Sequence, residues 1–198
     1  MNVLVAGATG KTGVRLIEKL KAAAHHPIAL VRESSDTSKL GEDVEIRLGD
    51  LTNLKSGVCE GCEVVIFAAG SGGSTTDQMT DQVDKDGAKR LIDLADEADV
   101  SRFVMLSSVG AGDPDPKSDL SHYLKAKHEA DEHLKASGLD YVIVRPVSLT
   151  DEDGEGNIRL GDEVDTSGTA ARGDLATVLT RAVDEPKWSR QIFLMDSQ

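Results

Sequence analysis

The chain has 198 residues, 39% of them hydrophobic, enough for one domain with a substantial core. Its net charge of −13 at pH 7 repels nucleic-acid phosphates and anionic membrane, which argues against both as partners. Two cysteines make no disulfide framework, no basic-then-apolar leader opens the sequence, and no apolar run reaches membrane-spanning length, so a soluble, cytoplasmic protein is expected.

Residues 3–6, Val-Leu-Val-Ala, form a short apolar run that predicts a buried strand. Gly7, Gly10 and Gly13 follow, and a helical pattern starts at once, with Val14, Ile17, Leu20 and Ala24 on one face. Strand, glycine turn and helix in that order make a phosphate cradle, where backbone N–H groups at the helix start point at a pyrophosphate. A nucleoside-triphosphate P-loop is excluded by spacing. Its pattern needs glycine at position 5, where Val5 stands.

Further strands are predicted over 28–31, 44–48, 64–69, 103–106 and 141–144, with a short one over 157–160 and a last over 191–194. Helices are predicted over 77–98, 120–136 and 174–183, and residues 148–171 read as polar loop. Strands alternating with helices give βαβ units, hence a single doubly wound α/β domain of Rossmann type spanning 1–198, its mostly parallel sheet covered on both faces. Ligands in such sheets bind beyond the carboxyl ends of the strands. Those ends are Gly7, Arg32, Asp50, Ala69, Ser108 and Pro146.

Each end suggests a use. Arg32, after the second strand, suits the 2′-phosphate of NADP, whereas an acid there would suit NAD; Glu33 is adjacent, so NAD remains the alternative. Lys11 adds a second cation near the phosphates. Asp50 can bond an adenine amine and Leu51 can pack on the ring, while Ala68, Ala69 and Gly70 let a cofactor pass close to the backbone. Tyr123 and Lys127 stand four apart in a helix and share a face. An ammonium beside a phenol favours the phenolate and brings it toward general-acid work near neutral pH. Ser108 can hydrogen-bond a substrate carbonyl, with Ser107 the alternative hydroxyl.

The set Gly7-Ala8-Thr9-Gly10-Lys11-Thr12-Gly13, Arg32, Gly49-Asp50-Leu51, Phe67-Ala68-Ala69-Gly70, Leu106-Ser107-Ser108, Tyr123-Leu124-Lys125-Ala126-Lys127 and Val144-Arg145-Pro146 resembles the short-chain dehydrogenase/reductases, specifically their atypical NmrA-like, NAD(P)H-binding branch. The resemblance spans nearly the whole chain. It implies a nicotinamide cofactor and a catalytic triad of Ser108, Tyr123 and Lys127, with Lys127 also touching the nicotinamide ribose. Cofactor contacts are expected from Gly7, Thr9, Gly10, Lys11, Thr12 and Gly13 in the turn, and from Arg32, Asp50, Leu51, Ala68, Ala69 and Gly70. Pro146 and Val147 are expected to close that site. One departure is that no asparagine precedes Ala69-Gly70, where many active members carry one.

The expected function is hydride transfer from NADPH to a small carbonyl, quinone or flavin-like acceptor, between loops around 71–80, 110–120 and 148–171. Two alternatives are an NAD(P)H-sensing protein with little turnover and a sugar-nucleotide epimerase or dehydratase. The expected partner is the small-molecule acceptor, and the protein is a monomer or a homodimer. No metal site is expected. Cys59 and Cys62 lack a second pair or a thioredoxin-like context, and His128 and His133 are spaced five apart, off a single helix face. His25 and His26 are read as solvated turn residues.

Overall fold

A computed structural model of the chain describes residues 1–71 and 75–198. In chain order the elements are β1 (Asn2–Ala6), α1 (Lys11–Ala22), β2 (His26–Val31), β3 (Glu45–Leu48), β4 (Val64–Phe67), α2 (Asp77–Thr80) and α3 (Ala88–Glu97). Then come β5 (Arg102–Leu106), α4 (Ser121–Ala136), β6 (Tyr141–Pro146), β7 (Ser148–Thr150), β8 (Ile158–Leu160), β9 (Thr169–Ala171), α5 (Arg172–Arg181) and β10 (Gln191–Ser197). Among the described residues these strands form one sheet in the order β3-β2-β1-β4-β5-β6-β10-β9-β7, with β8 also on β10. From β3 through β10 neighbours run parallel; β8 and β9 meet β10 antiparallel. The single doubly wound α/β domain is therefore as the sequence predicts.

Alternation along β1 shows how the two faces are filled. Val3 and Val5 pack with Leu16, Ile17 and Leu20 of α1 and with Leu175 and Leu179 of α5. Leu4 and Ala6 pack on the other face with Leu91 and Ile92 of α3 and with Ala130 and Leu134 of α4. A strand apolar on both faces needs helices on both, which is the structural reason for the βαβ alternation. Among the described residues no helix is long and apolar enough to cross a membrane.

Some local expectations are corrected. α1 ends at Ala22, so Ala24 lies beyond its apolar face, exposed and at φ +60°. His25 is not solvated: its side chain is 8% exposed, 3.8 Å from Asp184, while His26 opens β2 and pairs with Glu45. The helix over 77–98 is continuous but changes type, passing from α2 through a π-helical segment, Asp81–Gly87, into α3. Cys59 and Cys62 are buried in the core, and burial pushes the Cys59 thiol up to about 12, far from a reactive thiolate.

The polar stretch 148–171 is more ordered than a loop, containing β7, β8 and β9. Two buried carboxylates organise it. Asp174 accepts from the Gly156 N–H at 3.0 Å and from Ser197 Oγ at 2.8 Å. Asp196 accepts from Nε and Nη2 of Arg159 and from the Asp165 N–H. Arg159 holds the Asp196 carboxyl below the ordinary aspartate range. Its contribution to stability is therefore complete above that range and lost as pH falls through the lowered value. Asp196→Asn is expected to lower stability at neutral pH and to flatten the acid limb of the melting-temperature profile.

Candidate functional site

The glycine turn after β1 is shaped by contacts no side chain could tolerate. Gly7 has φ +85°, and a Cβ on it would lie 2.7 Å from the backbone of Ala68 and Ala69. A Cβ on Gly13 would lie 2.1 Å from the Gly7 carbonyl oxygen. These two glycines let α1 and the turn after β4 close on the end of β1. Gly10 caps α1 with no side-chain hydrogen bond, and the first turn carries no acid. The first N–H groups of a twelve-residue helix are thus left for an anion, which fits a pyrophosphate. Gly13→Ala is expected to cost about 1–3 kcal/mol or more through overpacking, read by urea denaturation.

A cleft of about 1040 Å³ opens beyond the strand ends. Of the expected cofactor contacts, Gly7, Thr9, Gly10, Lys11, Thr12, Arg32, Asp50, Leu51, Ala68, Ala69, Gly70 and Lys127 line it. Four expected residues stand elsewhere. Gly13 supports the turn from behind. Ser108 is half-buried off the lining, Pro146 pairs with Met195 in the sheet, and Val147 is in the core. Arg32 lines the cleft together with Ser35, whose Oγ accepts from the Arg32 N–H; Glu33 does not line it. Asp50 Oδ1 accepts the Thr52 N–H and hydroxyl, and these bonds hold its carboxyl below the ordinary range. Oδ2 takes no part in them.

Sequence reasoning missed Arg172, which lines the cleft at the start of α5. It shares Asp151 with Lys11, at 2.7 and 2.5 Å. Of the expected acceptor walls, Ser71, Thr75, Asp77, Met79, Thr80, Asp119, Leu120 and Leu149 lie on the cleft. Residues 72–74 of the first wall lie outside the described residues.

Tyr123 and Lys127 come from α4 and share the cleft with Ser107, the first residue after β5. Lys127 is 2% exposed. Its Nζ lies 3.0 Å from Asp84 Oδ1 and donates to the carbonyls of Leu106 and Ala69 at 3.3 and 3.4 Å. It also sits 5.8 Å from the centre of the Tyr123 ring and 5.4 Å from that of Phe67. Burial opposes its charge, but Tyr123, Asp84 and Asp131 outweigh burial and hold it above the ordinary lysine value. Asp84, fully buried, comes from the π-helical segment. Sequence analysis missed it, although an acid on the apolar stripe four residues before Ala88 was a readable signal. Among the described residues, no group of three or more metal-ligating side chains converges.

This arrangement, a glycine turn under a helix start with a tyrosine and a buried lysine across the cleft, defines a nicotinamide-binding Rossmann protein. A family model described as NAD(P)H-binding matches residues 7–186. The chain belongs to that family, within the atypical short-chain dehydrogenase/reductases. It is similar to the uncharacterized sugar epimerase YhfK of Bacillus subtilis (strain 168), 35% identical over 98% of this chain and 92% of that one. A solved structure from Bacillus halodurans, named for the NAD-dependent epimerase/dehydratase class, superposes with a TM-score of 0.93 at 36% identity, covering 100% and 94% of the two chains. Sanguinarine reductase of Eschscholzia californica is 27% identical, with 100% of this chain and 89% of that one covered.

Proposed function

We propose that the protein is an NADPH-dependent reductase acting on a small carbonyl, quinone or flavin-like acceptor. The observation that carries this reading is Tyr123 on the same cleft as the glycine turn, with buried Lys127 against its ring. The cofactor, when bound, supplies hydride; the chain supplies position, charge and a proton. The turn and the start of α1 hold the pyrophosphate, with Lys11 and Arg172 as cations beside it. Tyr123 donates its proton to the acceptor oxygen, and Lys127, donating to two carbonyls and paired in charge with Asp84, stabilises the resulting phenolate through its field.

Oxidation of NADPH, followed by loss of its absorbance against a panel of aldehydes, quinones and flavins, tests this reading. Tight NADPH binding with no acceptor turned over would instead identify the sensing alternative. An epimerase reading has less support. Of the described residues 148–198, Leu149 and Arg172 line the cleft, and β8, β9 and β10 contribute nothing to it.

Preference for NADP over NAD rests on Arg32 and Ser35. Arg32→Glu is expected to weaken NADPH binding by about 10–100-fold, the worth of a charge-assisted hydrogen bond, with much less effect on NADH. Fluorescence titration of both nucleotides reads this. Equal losses for the two would remove Arg32 from 2′-phosphate recognition.

A further inference from the structure

Behind the cleft, three elements bring Ser107, Asp131 and Arg145 together. Asp131 stands four residues after Lys127 on α4 and is fully buried. Its Oδ2 accepts from Ser107 Oγ at 2.8 Å and from Arg145 Nε and Nη2 at 3.1 and 2.9 Å. Oδ1, also buried, has no partner among the described residues. Arg145 is pressed beneath Gly112, where a Cβ would come within 2.5 Å of Nη1. The guanidinium already matches the carboxylate's charge, so the serine bond is additional to what burying this pair requires.

That bond decides what Ser107 can offer the cleft it lines. A serine hydroxyl has one proton. Here it is committed to Asp131, which leaves the lone pairs free and makes the oxygen a stronger acceptor. Protonation of Asp131 would not reverse the bond. Oδ2 already takes two guanidinium hydrogens, so an added proton would sit on the unpartnered Oδ1, and Ser107 would still donate. Lys127 donates to two carbonyls, and the Asp84 carboxylate, 3.0 Å from Nζ, holds its proton in place above the ordinary lysine value. Tyr123 is then the donor of the three, and Ser107 the acceptor.

We propose that Asp131 is a positioning residue that makes Ser107 a hydrogen-bond acceptor toward the cleft, so that the site selects small molecules carrying an O–H or N–H beside the reducible carbon. Reduction at that carbon rests on the proposed reductase activity; the recognition itself is a property of binding. An α-hydroxy ketone fits both groups. Its hydroxyl donates to Ser107, and its carbonyl oxygen faces Tyr123. The carbonyl carbon gains hydride as the C=O π bond opens, and its oxygen takes the Tyr123 proton. The result is a diol and an oxidised nicotinamide, and the tyrosinate regains a proton from water.

The test is isothermal titration of 2-hydroxyacetophenone and its methyl ether, 2-methoxyacetophenone, into the protein saturated with NADP⁺. NADPH oxidation by each compound and the melting temperature of each variant are recorded separately. The hydroxy compound is expected to bind about tenfold tighter, the worth of one hydrogen bond. Ser107→Ala is expected to equalise the two. Asp131→Asn keeps the shape but loses the charge that sharpens the serine oxygen, and is expected to reduce the preference severalfold. No binding of the hydroxy compound, no preference, or a preference untouched by Ser107→Ala overturns the proposal. A preference untouched by Asp131→Asn overturns the positioning role, since an effect on folding alone would leave that ratio unchanged. A binding preference without NADPH oxidation by either compound would support this inference and count against the reductase reading.

Discussion

Tyr123→Phe is expected to lower kcat for NADPH oxidation by a carbonyl acceptor by about 10²–10⁴-fold, the usual worth of a positioned general acid. The ring stays, so its contact with Lys127 and the shape of the cleft are retained, and NADPH binding is expected to change little. What disappears is the proton for the developing alkoxide. Lys127 cannot replace it, because it donates to the carbonyls of Leu106 and Ala69 and the Asp84 carboxylate beside it holds its proton above the ordinary lysine value. Ser107 cannot replace it either while it donates to Asp131. Steady-state kinetics with an aldehyde and with a quinone separate the cases. A quinone that takes hydride directly and draws its proton from water is expected to keep most of its rate. Unchanged turnover of the aldehyde would remove Tyr123 from the chemistry.

The second large effect concerns stability. Lys127 and Asp84 form an ion pair with side-chain exposures of 2% and 0%. Such a pair is a weak source of stability, but removing one member leaves the other as an uncompensated buried charge, at about 3–5 kcal/mol. Lys127→Met is expected to cost that amount, a large share of the roughly 5–15 kcal/mol typical of a folded domain. Asp84→Asn in the same chain removes the stranded charge while keeping an oxygen for the Ser71 N–H, which donates to Asp84 at 2.9 Å. The double variant is therefore expected to recover most of the loss. Urea denaturation of the two variants reads the difference. Equal stabilities would mean that packing of the introduced methionine, and not the orphaned carboxylate, sets the cost.

The carboxylate of this pair is carried by the π-helical segment. The widened turn lies where Asp84 is delivered to Lys127 and Gly87 lies against Leu51. A Cβ at Gly87 would be 2.8 Å from the Leu51 carbonyl oxygen. Widened turns of this kind are frequent at functional sites. Here the segment joins the cleft wall at Leu51, the proposed adenine end, to the proposed catalytic end, at Lys127.

Much of the architecture was readable from residue order. Apolar runs such as Val64-Val65-Ile66-Phe67 need cover on both faces, and the helices between them provide it, so a mostly parallel sheet with its cleft beyond the strand ends followed. The glycine turn was readable for a similar reason: it depends on the absence of side chains, which the sequence states directly. In the polar stretch 148–171 the strand over 157–160 was readable and is β8, whereas β7 and β9 were not, because their three residues carry little hydrophobic alternation.

The sequence by itself determined the fold, the cofactor cradle and the Tyr123–Lys127 pair, because each depends on spacing within one element or on a short local run. Tertiary structure alone decided which serine meets the cleft. Consecutive residues at a strand end point to opposite sides, so a shift of one position exchanges Ser107 for Ser108. It also decided the partners of the buried charges. Asp84 is 43 residues from Lys127, and Asp131 is 24 from Ser107, so nothing short of the packed sheet and helices brings these groups within hydrogen-bonding distance.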